Sequence, residues 1–400
     1  MSTLASHALP SALDIELPPP AIPARSRGRR IVNLVTVMEA AGAQGAAIRL
    51  TEALRDRGHE AETWFLYVKR PVYVDQRNVR VVMPNKPGAT DLPRLLWRLR
   101  SMIAEFKPDC MFAFTHYASA IGAPVAALTG VRARIATVRR PFNEYPAGAR
   151  IANTIAGSIG VASRTIAVSA ATTESCAHLP AAFKRRLITV SNGVDVRRSV
   201  LSVHEARERF GVPIDARLIL TTGRLSPEKN QQVLVRILEH QANVHLAIAG
   251  EGPARASLAA TAKRLGVENR VHLVGELPPS SVPDFLAMEG IFAFPSRYEA
   301  FGFSVVEAMA TGLPVVASDI PAMREILGDS GTDEAGIRVT PDSIEEWTAA
   351  IKGLFENPGR MHTLAHLAAL RARHFSLSTM VDGYEAAMEE LLTARHRGSR

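Results

Sequence analysis

An α/β architecture of two doubly wound parallel-sheet domains is what the sequence predicts, and three observations carry it. Short apolar runs alternate with helix-length amphipathic stretches along most of the chain, the pattern of strands joined by helical crossovers. The alternation occurs twice, on either side of an Asn192-Gly193-Val194-Asp195 turn. The chain has 400 residues, too many for one ordinary core and comfortable for two. Hydrophobic residues make up 47% and charged residues 22%, which excludes a disordered, collagen-like or coiled-coil chain.

Taken in order, the first run places strands at Ile31–Val37, Ala61–Val68, Asn78–Met83, Cys110–Phe114, Ala133–Val138, Arg164–Val168 and Leu187–Val190. Helices fall between them, at Ala43–Arg57 (closed by Gly58) and Leu92–Lys107 among others. After the turn comes a charged helix at Val203–Phe210, then strands at Leu218–Thr222, Val244–Ala249, Val271–Val274, Ile291–Phe294 and Pro314–Ala317. The expected layout is an N-terminal domain over 29–198, a C-terminal domain over 199–375, and a C-terminal helix over 376–400 that could pack back towards the first domain. In such sheets ligands bind beyond the carboxyl ends of the strands, so the cleft between two such domains is the expected site.

Residues 1–28 hold Pro18-Pro19-Pro20 and basic residues, without the apolar stretch of a signal peptide, and are expected to be a disordered basic leader. The uncharged stretch from Cys110 to Val131 is long enough to span a bilayer. It contains Thr115, His116, Ser119, Gly122, Pro124 and Thr129, so a buried strand followed by a helix is expected there, and no transmembrane helix. Two cysteines, Cys110 and Cys176, provide neither a disulfide framework nor metal-ligand spacing. A reducing, cytoplasmic compartment is expected.

The net charge of +8 is unevenly spread: residues 1–200 carry 27 basic and 14 acidic residues, residues 201–400 carry 20 and 25. A basic front half attracts phosphate-rich partners. The basic helix Arg94-Leu95-Leu96-Trp97-Arg98-Leu99-Arg100 reads either as a membrane-surface element or as a helix covering a sheet with solvated arginines.

Three motifs lie just after strands. In Gly223-Arg224-Leu225-Ser226-Pro227-Glu228-Lys229-Asn230, Ser226 and Pro227 read as an N-cap and first helical residue. Lys229 would then occupy a first helical turn, where the helix dipole disfavours a cation. An anion held between Arg224 and Lys229 would resolve this; Glu228 neutralising Lys229 on a solvated turn is the plainer alternative. In Tyr298-Glu299-Ala300-Phe301-Gly302-Phe303-Ser304-Val305-Val306-Glu307, the amides of residues 302–304 would open a helix as a phosphate cradle. Glu299 and Glu307 beside it should face hydroxyl groups, as sugars offer. Gly250-Glu251-Gly252-Pro253 is a glycine-bearing turn that is neither a dinucleotide fingerprint nor a P-loop. Neither Asp-x-Asp nor His-Glu-x-x-His occurs. No metal site is therefore expected, and Arg224 and Lys229 would do the work of a metal on a diphosphate.

These segments, in this order, resemble the retaining family 4 glycosyltransferases of the GT-B fold, over most of residues 31–375. The resemblance includes Gly42-Ala43-Gln44, Gly58-His59-Glu60, Ile166-Ala167-Val168-Ser169 and Val190-Ser191-Asn192-Gly193-Val194-Asp195. It is most specific from Pro295-Ser296-Arg297-Tyr298-Glu299 through Glu307 to Gly312-Leu313-Pro314-Val315-Val316-Ala317-Ser318. It implies two Rossmann-like domains facing a central cleft, and catalytic roles for Arg224, Lys229, Glu299 and His116. It implies donor binding by Gly42, Gly223, Gly250, Gly252, Phe301, Gly302, Phe303 and Glu307. No cofactor is implied; the donor would be a nucleotide sugar, UDP- or GDP-linked. Its acceptor would be a glycan or a lipid-linked molecule in cell-surface polysaccharide or glycolipid assembly, with an anionic membrane surface as a further partner and no nucleic acid.

The chain departs from the family pattern at Ala41-Gly42-Ala43-Gln44 and at Thr137-Val138-Arg139-Arg140-Pro141, both on the acceptor side. Arg139 and Arg140 read either as anion ligands or as a solvated basic edge. Two rival functions stand beside transfer: a nucleotide-sugar epimerase on the same fold, and a non-catalytic basic binding protein.

Overall fold

The computed structural model describes residues 28–39, 42–195, 198–328 and 334–393. The expected leader, apart from Gly28, lies outside the described residues. The described residues form two compact units: one holds those from Gly28 to Asp195 and from His374 onward, the other those between.

The first unit is a seven-stranded sheet: β1 Arg30–Met38, β2 Glu60–Val68, β3 Val79–Met83, β4 Cys110–Ala113, β5 Ala133–Val138, β6 Arg164–Ala167 and β7 Leu187–Thr189. Its order is β3-β2-β1-β4-β5-β6-β7, and neighbouring strands run parallel. Parallel sheets are covered on both faces and read as continuous apolar runs; residues 31–35 of β1 are all buried. On one face the helices Gly42–Asp56 and Leu377–Thr393 pack Leu50, Leu54, Tyr384 and Met388 against Ile31, Phe65 and Phe112. On the other, Leu92–Phe106 and His116–Leu128 pack Leu95, Leu99 and Val125 against Trp64 and Met111. The uncharged Cys110–Val131 stretch is thus a strand and a helix. Among the described residues no helix is long and apolar enough to cross a membrane.

The last helix is held by charge as well as by its core. Arg29 makes a forked pair with Glu389 at 2.8 and 2.9 Å, Arg57 pairs with Asp382 at 2.6 Å and also with Glu385, and Arg164 pairs with Glu390. His59, whose side chain is fully buried, accepts the Arg29 amide at Nδ1, 3.1 Å. Its Nε2, 2.8 Å from Glu385, therefore carries the proton and donates. Burial pushes the Glu385 carboxyl up, but hydrogen bonds from His59 and Arg57 outweigh it and hold the carboxyl below its ordinary value.

The second unit is a six-stranded parallel sheet: β8 Arg217–Thr222, β9 Val244–Ala249, β10 Val271–Gly275, β11 Ile291–Phe294, β12 Val315–Ser318 and β13 Ile337–Val339, in the order β10-β9-β8-β11-β12-β13. The alternation did not reveal β13, a three-residue edge strand with the charged Arg338 at its centre. Too short to show a period, it is defined by its pairing with β12. Strand β12 begins at Val315 rather than Pro314, since proline has no N–H to give a ladder; the Pro314 carbonyl instead accepts from Phe292 at 2.9 Å.

Candidate active site

In each sheet the strand order reverses once, between β1 and β4 and between β8 and β11. Loops leaving the two strands at such a switch point diverge and open a crevice. In the second unit those loops are 223–230 and 295–302, which bear the expected cations and carboxylate.

The first of these loops differs from its sequence reading. Pro227–Lys229 is a single 3₁₀ turn, and Asn230, at φ +53°, separates it from the helix Gln231–Ile237. The Ser226 side chain caps nothing. Lys229 therefore does not sit in an α-helical first turn, and the dipole conflict does not arise. Its partner is also different: Lys229 Nζ pairs with Glu299 rather than being neutralised by Glu228. Both side chains are largely shielded, and the ammonium lies 5.7 Å from the Phe294 ring centroid. Arg224 is exposed.

The two loops are joined by Arg297. Its amide donates to the Glu228 carbonyl (2.9 Å), and its guanidinium to the Pro227 carbonyl (2.7 Å) and to Asp342 (2.6 Å). Asn230 donates to the Pro341 carbonyl at 2.9 Å and to Asp342 at 3.2 Å. The sequence named Arg297 only as part of a motif; its place two residues from Glu299 was the available signal.

Gly223, Gly250 and Gly252 make the close approach behind this site. Leu225 N–H donates to the Glu251 carbonyl at 3.0 Å and Gly223 N–H to the Ala249 carbonyl at 2.9 Å. A Cβ on Gly250 (φ +149°) would stand 2.0 Å from the Gly223 oxygen, and one on Gly252 (φ +157°) 2.3 Å from the Leu225 oxygen. Only glycine allows this contact. Gly302, at φ +116°, is the N-cap of the helix Phe303–Ala310, whose positive dipole end therefore lies there. Phe301 is buried, its ring edge-on to Phe303 at 5.1 Å. Glu307 is half-buried in the middle of that helix.

In the first unit, His116 opens the helix His116–Leu128 directly beyond β4, at the β1/β4 switch point. A hydroxyl pair that sequence reading missed fixes it there: the Thr36 and Thr115 hydroxyls bond to each other, Thr36 N–H donates to Thr115 at 3.1 Å, and Ala118 N–H donates to Thr36 at 3.1 Å. The imidazole lies 4.4 Å from the Tyr117 ring and 5.0 Å from that of Tyr145. Burial, and then the charge of Arg140, lower its pKa from the ordinary 6.5, so it is neutral at pH 7. Gly42 is the first residue of the helix Gly42–Asp56; Ala40 and Ala41 lie outside the described residues. Gln44 is buried and donates to the Val37 carbonyl at 3.2 Å.

Arg139 and Arg140 do not act as a pair. Arg140 is exposed and pairs with Glu144 at 3.3 Å. The Arg139 guanidinium is half-buried, stacked 5.0 Å over Phe114, and donates to Asn192 at 2.6 Å and Tyr384 at 3.4 Å. Burial lowers its pKa. The solvated-edge reading thus fails for Arg139. Both cysteines are free and buried, and burial raises the Cys176 thiol to about 11, so neither is a ready nucleophile. Among the described residues no group of three or more His, Cys, Asp or Glu side chains is placed to hold a metal ion.

Two parallel-sheet α/β units are the architecture of the GT-B class, and solved structures agree. The Anabaena protein HepE in complex with UDP superposes with a TM-score of 0.78 at 22% identity, over 90% of this chain and all of that one. WaaG, a glycosyltransferase of lipopolysaccharide biosynthesis, does so at 0.64 and 14% identity, over 89% of this chain and 98% of its own. Family models match in both units: Glycosyltransferase Family 4 over residues 40–198 and Glycosyl transferases group 1 over residues 202–370. The chain belongs to the family 4 GT-B glycosyltransferases. Similar curated proteins include a D-inositol 3-phosphate glycosyltransferase of Xylanimonas cellulosilytica, 33% identical over 45% of each chain. Another is the alpha-D-kanosaminyltransferase of Streptomyces kanamyceticus, 29% identical over 47% of this chain and 49% of its own. The chain spans about half the length of the curated relatives it matches.

Proposed function

We propose that the protein is a retaining, metal-independent glycosyltransferase that moves a sugar from a nucleotide diphosphate sugar to a glycan or lipid-linked acceptor in cell-surface polysaccharide or glycolipid assembly. The observation that carries this reading is the Lys229–Glu299 pair at the β8/β11 switch point, with Arg224 exposed on the loop that carries Lys229. Departure of a nucleoside diphosphate develops negative charge, and preorganised cations stabilise it more than any other term. In this reading the diphosphate takes Lys229 from Glu299 and is met by Arg224 and the helix N-terminus at Gly302. Glu299, released, accepts from donor-sugar hydroxyls, and Glu307 holds the ribose. The leaving phosphate then takes the acceptor proton as the acceptor attacks from the same face.

The first unit is assigned the acceptor. Neutral at pH 7, His116 offers an acceptor hydroxyl a hydrogen bond, and Arg140 faces an anionic acceptor group. A uridine donor is favoured over guanosine by the complexes of HepE with UDP and UDP-glucose. A cytoplasmic location at the inner face of the membrane belongs to the same reading and is supported by the two free thiols. The test is calorimetric titration with UDP, GDP and ADP, with and without EDTA, followed by product analysis with the nucleotide sugar that binds. EDTA-insensitive binding of one nucleotide and transfer to an acceptor is the expected result. No binding of any, or conversion of the donor to an epimer without an acceptor, would overturn it.

A further inference from the structure

The helix Ala147–Ile159 buries Ala149, Asn153, Ala156 and Gly157 and leaves Ile151, Ile155 and Ile159 outside, at 59%, 53% and 68% exposure. A spacing of four puts the three on one stripe, roughly 12 Å long at the helical rise. Leu128, the last residue of the helix packed beside it, is 85% exposed. Single exposed aliphatics need no explanation, whereas a stripe of branched side chains on one helix marks an interaction surface.

The segments next to the stripe in sequence are mostly basic. From Cys110 to Val194 the chain has nine basic residues and two acidic ones, Glu144 and Glu174, and the first of these is paired with Arg140. The helix itself carries Arg150 and no acid. Arg132, Lys184 and Arg185 are exposed on neighbouring segments, the latter two at the end of the short helix Ala181–Lys184 that packs against it. An apolar stripe flanked by arginine and lysine fits an anionic bilayer surface, where the aliphatics enter the acyl boundary and the cations face the headgroups. A second copy fits poorly, because a two-fold contact would set each cluster of cations against itself.

We infer that this helix is the surface by which the protein docks on an anionic lipid bilayer, with Ile151, Ile155 and Ile159 inserted and Arg132, Arg150, Lys184 and Arg185 on the lipid phosphates. This deepens the lipid-linked acceptor reading above and rests on it for its biological purpose. It moves the membrane contact away from Arg94–Arg100, where Trp97 alone of the large apolar side chains is strongly exposed.

The test is cosedimentation of the full chain with vesicles of phosphatidylcholine alone and with phosphatidylglycerol added. It uses wild type, the triple variant Ile151→Ser, Ile155→Ser, Ile159→Ser, the triple variant Arg150→Glu, Lys184→Glu, Arg185→Glu, and Trp97→Ser. The wild type is expected to bind only vesicles containing phosphatidylglycerol, and each triple variant to lose partition by roughly tenfold or more. Thermal melting and UDP affinity should stay unchanged, and Trp97→Ser should bind as wild type. Failure of the wild type to bind these vesicles, undiminished binding by the serine variant, or an equal loss in Trp97→Ser would overturn the proposal. So would conversion of a wild-type dimer to monomer by the serine variant, which would make a second copy the occupant. UDP affinity on the same preparations keeps the two readings apart: vesicle binding can fail while UDP still binds, and UDP binding can fail while vesicles are still bound.

Discussion

The two units share one design and put different chemistry on it. Both are parallel sheets whose strand order reverses once, and both place their candidate residues at the reversal. In the second unit the switch-point loops are charged and cross-linked, Lys229 to Glu299 and Arg297 to Asp342. In the first, the loop after β4 is neutral, a histidine between tyrosines held by two threonine hydroxyls, and the one ion pair beyond β1 is Glu39 with Lys69 at 2.7 Å among the described residues. A diphosphate needs fixed cations, while a sugar hydroxyl needs only a hydrogen-bonding partner, and this contrast is the basis of the donor and acceptor sides proposed above. The basic residues of the first half serve elsewhere: Arg29, Arg57 and Arg164 hold the acidic last helix. Part of the charge asymmetry in the sequence is thus complementarity within the chain, and it overstates the attraction for external phosphate.

The contrast breaks most directly at Lys229. Lys229→Ala should lower turnover on the order of a hundredfold to a thousandfold, about 3 kcal/mol of barrier, by analogy with a lost oxyanion donor. Glu307→Ala should likewise abolish transfer, and neither should change the melting temperature. Near-normal turnover in either would remove the charged switch point from the chemistry. Glu385→Ala is the reverse case, affecting the fold and not the chemistry. It leaves buried His59 and Arg57 short of a partner and should cost about 2 kcal/mol in urea denaturation with UDP affinity intact. A fall in UDP affinity would show that the charge ties of the first unit are not merely structural. Asp342→Ala frees Arg297 and should raise the donor KM several-fold, about 1 kcal/mol, with a smaller change in kcat; an equal fall in kcat would give that bolt a transition-state role.

The smallest effect is with pH. The His116 imidazole titrates below 6.5 when folded, so the unfolded chain takes the proton first and stability rises with pH in that window. Its contribution is complete above the unfolded value and is lost as pH falls from about 6.5 through the folded value. His116→Gln should flatten part of the decline in urea midpoint below pH 6.5, and an unchanged slope would mean that the ring is not held in the neutral form. His245 and His272, also lowered by burial, contribute in the same direction and set the slope that remains.

The sequence by itself determined the strand–helix alternation, hence two parallel sheets, because the period of apolar residues is a local property of the chain. It located the Gly223–Asn230 and Glu299–Glu307 segments for the same reason, since glycine, proline and charge just after a strand are visible in one dimension. It misjudged the turn at Pro227–Lys229, where Asn230 in a left-handed conformation breaks what reads as a helix start. Only the tertiary structure decided that Lys229 meets Glu299, seventy residues on, and that Arg139 turns inward to Asn192 and Tyr384 while Arg140 stays outside. Strand order sets those partnerships: β8 lies beside β11 rather than next to its successor alone, and no local pattern encodes which strands become neighbours.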